Sequence, residues 1–293
     1  MCENPQSGTQ GAPQPVQPVP PPANPLAVIQ QQLGGPLFII WGVLSTDLVE
    51  ACVEFVDTQP RPDKMNVLID TFGGSPDIAF SSAVTLRGHC NRIAVHIARK
   101  AKSAGSLFCL GGDEIVMHTG AELGPLDMQV TDPRVSTEWI SALSGKGALN
   151  AVATFLHDEF DLFSKQFIYR AGTNIADACS YAIQIMTSIA RPLFEQVNPL
   201  ELGKFGNSLL VNQMYAKELL KRAGVEDRTA HKIAESLVVN YPSHTFVIDK
   251  VEAERVGLRV RHPNADETAA IRLSYRVLKQ STGTNSYFGL LPV

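Results

Sequence analysis

The chain has 293 residues, 44% of them apolar, with 25 Lys and Arg against 29 Asp and Glu for a formal net charge of −4; it can bury a substantial core without staples, and its scattered basic residues give no electrostatic reason to expect nucleic acid. Its five cysteines form no C-x-x-C pair, behave as packed thiols and fit a reducing, cytoplasmic setting. The longest strongly apolar stretch, 37–44, is far short of the roughly 18–20 residues that cross a bilayer, and the N-terminus has no basic start or apolar h-region, so neither a membrane span nor export is expected.

Residues 1–25 are crowded with Pro, Gln, Gly and Ser, which cannot bury enough apolar surface to offset ordering entropy, and they are expected to form a disordered tail. From Pro36, short β-branched runs alternate with helical patterns, the grammar of an α/β fold. The strands are expected at 37–41, 65–69, 92–97 and 114–117, with helices at 47–58, about 77–89 and 103–110. Beyond Asp132 the pattern turns helical, with segments at 139–143, 148–170, 175–197, 208–223 and 227–238, which read as a long insertion at about 132–238. Strand-like 245–248 and the run 251–260 return to strand–helix–strand order, and 264–280 reads as one last helix before a loose tail.

Chemistry concentrates in three short segments. Gly73-Gly74 directly follows a buried strand, where glycine frees the backbone to aim N–H groups at a developing oxyanion. Ser103, in Lys102-Ser103-Ala104-Gly105-Ser106, opens a short apolar helix whose first-turn N–H groups favour an oxyanion; the plainer reading is an N-cap. Ser106 is expected to be buried, and Lys102 to stay solvated because successive side chains diverge. Leu123-Gly124-Pro125-Leu126-Asp127 follows. The histidines have no metal-ligand spacing, so no metal and no cofactor is expected. There is no Gly-x-x-x-x-Gly-Lys segment, so any energy dependence requires an ATPase or adaptor partner, whose identity the residues leave unknown.

The run from Val67 to Gln129, with Gly73-Gly74, Lys102-Ser103-Ala104-Gly105, the 112–117 strand and Leu123 to Gln129, resembles the serine dehydrogenase proteinase family of the Clp-protease/crotonase superfamily. Tyr241 to Ile248, with Glu252-Ala253 and Gly257-Leu258, resembles that family's closing segment. The resemblance implies a Clp-protease/crotonase-like ββα superhelix over 26–262, followed by a C-terminal helix and tail at 263–293. It implies a serine endopeptidase acting on a peptide or protein, with Ser103 as nucleophile and an oxyanion hole made by Gly73 or Gly74 with Ala104. The Clp order would put a histidine where Pro125 to Asp127 stand, so the expected arrangement exchanges two roles: His244 is the base and Asp127 holds its tautomer. A lysine base at Lys146 or Lys165 is the alternative, as in signal-peptide peptidases of the superfamily. A homo-oligomer is implied as well. Two further functions stay open on the same fold: a non-catalytic assembly or adaptor protein, and a crotonase-type acyl-CoA enzyme.

Overall fold

The computed structural model describes residues 24–127, 129–132, 135–195, 197–281 and 286–291. The expected tail lies almost wholly outside them. Helix α1 (Pro25–Leu33) stands where no helix was expected; the Asn24 side chain accepts from the Leu26 N–H and Gly34, at φ 70°, closes it. Then follow β1 (Leu37–Trp41), α2 (Thr46–Thr58), β2 (Lys64–Thr71), α3 (Pro76–His89), β3 (Arg92–Ala101), α4 (Ala104–Cys109), β4 (Glu114–Met117) and β5 (Glu122–Leu123). Every strand expected up to Met117 is present.

Strands β1 to β4 are parallel neighbours in the order β4-β3-β2-β1. Their sequences are near-continuous apolar runs because helices cover both faces. The two-residue period of a strand sorts the side chains. Phe38, Ile40, Val67 and Ile69 join the core beneath the helices on one face, and Leu37, Ile39 and Leu68 join Ile29, Leu33, Ile271 and Leu278 on the other. Each of these is nearly or fully buried, a contribution of about 1.5–3 kcal/mol per large side chain.

After β6 (Gln129–Asp132) comes β7 (Val135–Ser141), its antiparallel partner, with Val130 opposite Ile140. The expected helix at 139–143 is therefore corrected: residues 139–141 are strand, because a hairpin partner overrides local helix preference. Helix α5 (Ala142–Ala171) starts at a Ser141 cap, ahead of the expected 148. Then come α6 (Ile175–Phe194), α7 (Pro199–Arg222) and α8 (Asp227–Val239). Helix α7 begins nine residues before the expected 208 because Asn198 caps it with Pro199 at its first position, and it runs through Gly203 and Gly206 despite their low propensity.

Residues 245–248 form no strand; Ile248 alone makes an antiparallel bridge to Leu123. Helix α9 (Lys250–Val256), β8 (Val260–Arg261) and α10 (Ala265–Ser281) follow, with β8 pairing in parallel to β4. The expected loose tail is also corrected: β9 (Tyr287–Leu290) is an antiparallel edge strand on β1. Helix α10 packs on α1 and closes the second face. Cys52, Cys90 and Cys109 are buried free thiols, as expected; burial pushes Cys52 up to about 12 and Cys90 up to about 11, so neither is a thiolate nucleophile at neutral pH.

Candidate active site

The carboxyl ends of parallel strands form the crevice where α/β sheets place their ligands, and the three candidate segments meet there. At the end of β2 the chain turns through Gly73 (φ 112°) and Gly74 (φ 150°). A Cβ on Gly73 would stand 2.9 Å from Lys102 O, 3.0 Å from Ser103 Cβ and 3.4 Å from Ala104 N, so this turn lies directly against the nucleophile candidate. A Cβ on Gly74 would meet Leu44 O at 2.4 Å. Both positions accept glycine alone.

Ser103 joins β3 to α4 at φ 50°, ψ −118°, the one non-glycine residue with positive φ among the described residues. Such strain belongs to a nucleophile elbow, where a sharp strand-to-helix turn lifts the hydroxyl clear. Ser103 is the N-cap residue of α4 by position, but its side chain makes no cap hydrogen bond. Ala104 is buried at the first position of α4, where its N–H has no intrahelical acceptor. The Gly73 N–H donates to Thr71 Oγ1 (2.9 Å). The Gly74 bridge uses the N–H groups of Leu44 and Ser75, leaving that of Gly74 outside it. Gly74 and Ala104 are thus the better-placed donors.

Ser106 is buried, as expected; it donates to Ala101 O (2.6 Å) and accepts from Gly124 N (2.9 Å). That second bond carries the 123–127 segment to the serine turn. Leu123 and Ile248 exchange backbone bonds of 2.9 and 3.1 Å. Asp127 lies four residues beyond Leu123, its backbone neighbour Leu126 bonded to Leu237 O (2.8 Å), and His244 lies four before Ile248 in a turn closed by the Phe246 N–H on Ser243 O (3.0 Å). His244 Nδ1 lies 2.8 Å from Asp127 Oδ1, with the aspartate side chain 2% exposed and the histidine 18%. That bond fixes one imidazole nitrogen and leaves Nε2 for a reacting proton. Ser103 Oγ and the His244 ring share no hydrogen bond among the described residues.

Of the lysine candidates, Lys165 is not brought to this cluster. Lys165 is exposed on α5 and pairs with Asp161 one turn away (3.3 Å); the side chain of Lys146 lies outside the described residues. Lys102 departs from expectation: it is 12% exposed rather than solvated, with Nζ held by Leu123 O, Phe246 O and Glu122. Sequence reasoning missed it because its partners come from distant segments. It also missed Asn212 of α7, whose Nδ2 donates to Leu126 O (2.8 Å) beside Asp127.

Behind β3, His96 and His118 meet with ring nitrogens 3.5 Å apart. Burial drives His96 down to about 3 and His118 down to about 4, so both are neutral at pH 7. Among the described residues no group of three His, Cys, Asp or Glu could hold a metal ion.

The chain is thus an α/β protein that carries a glycine turn, a strained serine and a histidine–carboxylate pair at the carboxyl edge of its parallel strands. Residues 28–152 match the model of the family described as ClpP-like SDH-type serine proteinase. The chain is 30% identical over 221 residues to an uncharacterized protein of Methanocaldococcus jannaschii, across 75% of its own length and 60% of the relative's. A second uncharacterized protein of that organism is 31% identical over 100 residues, 34% of each chain. The chain therefore spans less than two thirds of these relatives. Among solved structures it is similar to the 1510-N membrane-bound stomatin-specific protease, at 13% identity and a TM-score of 0.46 over 81% of this chain and 83% of that one. It is also similar to ClpP1 of Listeria monocytogenes, at 9% identity and a TM-score of 0.36 over 82% and 99%. No described helix is long and apolar enough to cross a membrane.

Proposed function

We propose that the chain is a serine endopeptidase that cleaves peptide bonds through an acyl-enzyme on Ser103. The observation that carries this reading is the assembly of the strained Ser103 turn, the Gly73-Gly74 turn packed on it and the His244–Asp127 pair at one edge of the sheet. Ser103 Oγ attacks the scissile carbonyl and passes its proton to His244 Nε2. Asp127 holds Nδ1–H and stabilises the imidazolium. The tetrahedral oxyanion takes hydrogen bonds from the N–H groups of Ala104 and Gly74, in a site where such donors are worth about 3–4 kcal/mol each. Collapse expels the amine, protonated by His244; water, deprotonated by the same ring, then frees the acid and restores the serine.

The test is labelling by a small fluorophosphonate, with the adduct located by peptide mass spectrometry in the wild type and in Ser103→Ala and His244→Ala. The expected adduct sits on Ser103 and falls away in both variants. Labelling at full rate without His244 overturns the histidine base, and no adduct on Ser103 overturns the peptidase. We also propose a cytoplasmic homo-oligomer, supported by large apolar side chains exposed on α5, α6 and α7, among them Tyr169, Ile175 and Leu200. A monomeric mass by light scattering at micromolar concentration overturns the oligomer.

A further inference from the structure

We propose that Lys102 is a positioning residue that holds the His244–Asp127 pair in register with Ser103, an inference that rests on the serine–histidine reading above. Lys102 Nζ lies 3.1 Å from Leu123 O, 3.3 Å from Phe246 O and 3.2 Å from Glu122 Oε1. The ammonium donates to the carbonyls of Leu123 and Phe246 and forms an ion pair with Glu122, so two distant segments meet on one side chain. Its work is mechanical: Leu123 leads into Asp127, and Phe246 follows His244 by two residues.

The main chain of Lys102 is as firmly tied. Its N–H donates to Thr71 O (3.1 Å) at the start of the glycine turn, and its carbonyl accepts from Gly105 N (2.8 Å) in α4. A Cβ on Gly124 would stand 2.8 Å from Lys102 Cδ, so the aliphatic stem packs against the turn before Asp127. One residue thus joins the oxyanion turn, the serine turn, the aspartate segment and the histidine segment. The last of these needs it most. Residues 242–247 are largely exposed; besides the His244–Asp127 bond they are held by local Ser243–Thr245 bonds, a Phe246-to-Ser243 turn bond and the Phe246 ring on Tyr241, so Lys102 supplies their tie to the serine turn.

The experiment measures the rate at which a small fluorophosphonate labels Ser103, per folded molecule, in the wild type and in Lys102→Met. A Lys102→Cys variant is measured alongside after alkylation with 2-bromoethylamine, which rebuilds a charged lysine analogue, or after capping with methyl methanethiosulfonate, which leaves no charge. The hydrogen-bonded Nδ1–H proton of His244 is followed by NMR. Loss of about 1 Å in placement costs about a hundredfold in rate, so Lys102→Met is expected to label about a hundredfold more slowly and to lose the Nδ1–H resonance. The aminoethylated protein is expected to regain both, and the capped protein neither. Wild-type labelling and resonance in Lys102→Met overturn the proposal, as does equal recovery with both adducts. If neither adduct folds, Lys102 maintains the fold rather than the site, and the proposal fails there too. Failure of the parent reading looks different, because wild-type Ser103 then takes no label or His244→Ala takes it at full rate.

Discussion

Gly73→Ala tests the geometry of the serine turn more sharply than removal of any reactive group. The residue sits at φ 112°, and the new methyl would meet Lys102 O at 2.9 Å and Ser103 Cβ at 3.0 Å. Comfortable carbon contacts begin near 3.5 Å, so the serine turn must retreat by about 0.5 Å or the glycine turn must tilt its N–H groups away. Forcing an alanine into this backbone region costs about 1–2 kcal/mol, and the crowding adds about 1–3 kcal/mol. A 1 Å misplacement costs about a hundredfold in rate, so half of it predicts about tenfold. The control is Gly120→Ala, at φ 76° with nothing within 4 Å of the new methyl; it carries the backbone cost without the clash. Urea unfolding and fluorophosphonate labelling of both variants separate the effects. Gly120→Ala should lose about 1 kcal/mol and label normally, whereas Gly73→Ala should lose more and label at least tenfold more slowly. Equal labelling rates in the two variants would refute the packing of the glycine turn on Ser103.

Asp127→Asn keeps the shape of the side chain that lies 2.8 Å from His244 Nδ1 but removes its charge and frees the ring to take the wrong tautomer; an acylation loss of about 10³–10⁴-fold is expected, and a loss below about tenfold by peptidase or labelling assay would remove Asp127 from the triad. The buried histidines predict an acid-sensitive fold. Burial lowers His96 to about 3 and His118 to about 4, against about 6.5 in the unfolded chain. Between those limits the unfolded state binds more protons, so this stability is complete above about pH 6.5 and is lost as pH falls toward 4, at up to about 1.4 kcal/mol per pH unit for each histidine, less for the partly exposed His118. Urea midpoints from pH 7 to 4.5 check this, and His96→Gln should flatten the slope; an unchanged slope would mean that His96 does not carry it.

What was legible in the sequence was whatever local pattern determines. The strands through Met117 are long β-branched or apolar runs, and parallel burial leaves them little freedom to be anything else. Ser103 and Gly73-Gly74 were legible because small residues at strand ends declare their backbone needs. The hairpin of β6 and β7, the edge strand β9 and the helix α1 were missed, since each depends on a partner distant in sequence or on a single cap such as Asn24. Lys102 was misread for the same reason: alternation of side chains says where Nζ cannot point, but only the packed chain brings the carbonyl of Phe246, 144 residues away, to meet it.

That distance also explains how one site can be built from two ends of a long insertion. The Asp127 and His244 segments leave and return beside a single antiparallel bridge between Leu123 and Ile248, which ties the two ends of the insertion together. Loop-closure cost grows only with the logarithm of length, so the 117-residue separation of the pair adds little penalty beyond that of a shorter connection. Hairpin β6–β7 and helices α5 to α8 occupy that interval. Their sequence is then constrained mainly by packing, such as the Asn212 bond to Leu126. The bridge, the Lys102 clamp beside it and the bonds of Leu126 to Asn212 of α7 and Leu237 of α8 together hold the aspartate and histidine segments, so the insertion steadies the site as well as separating its parts.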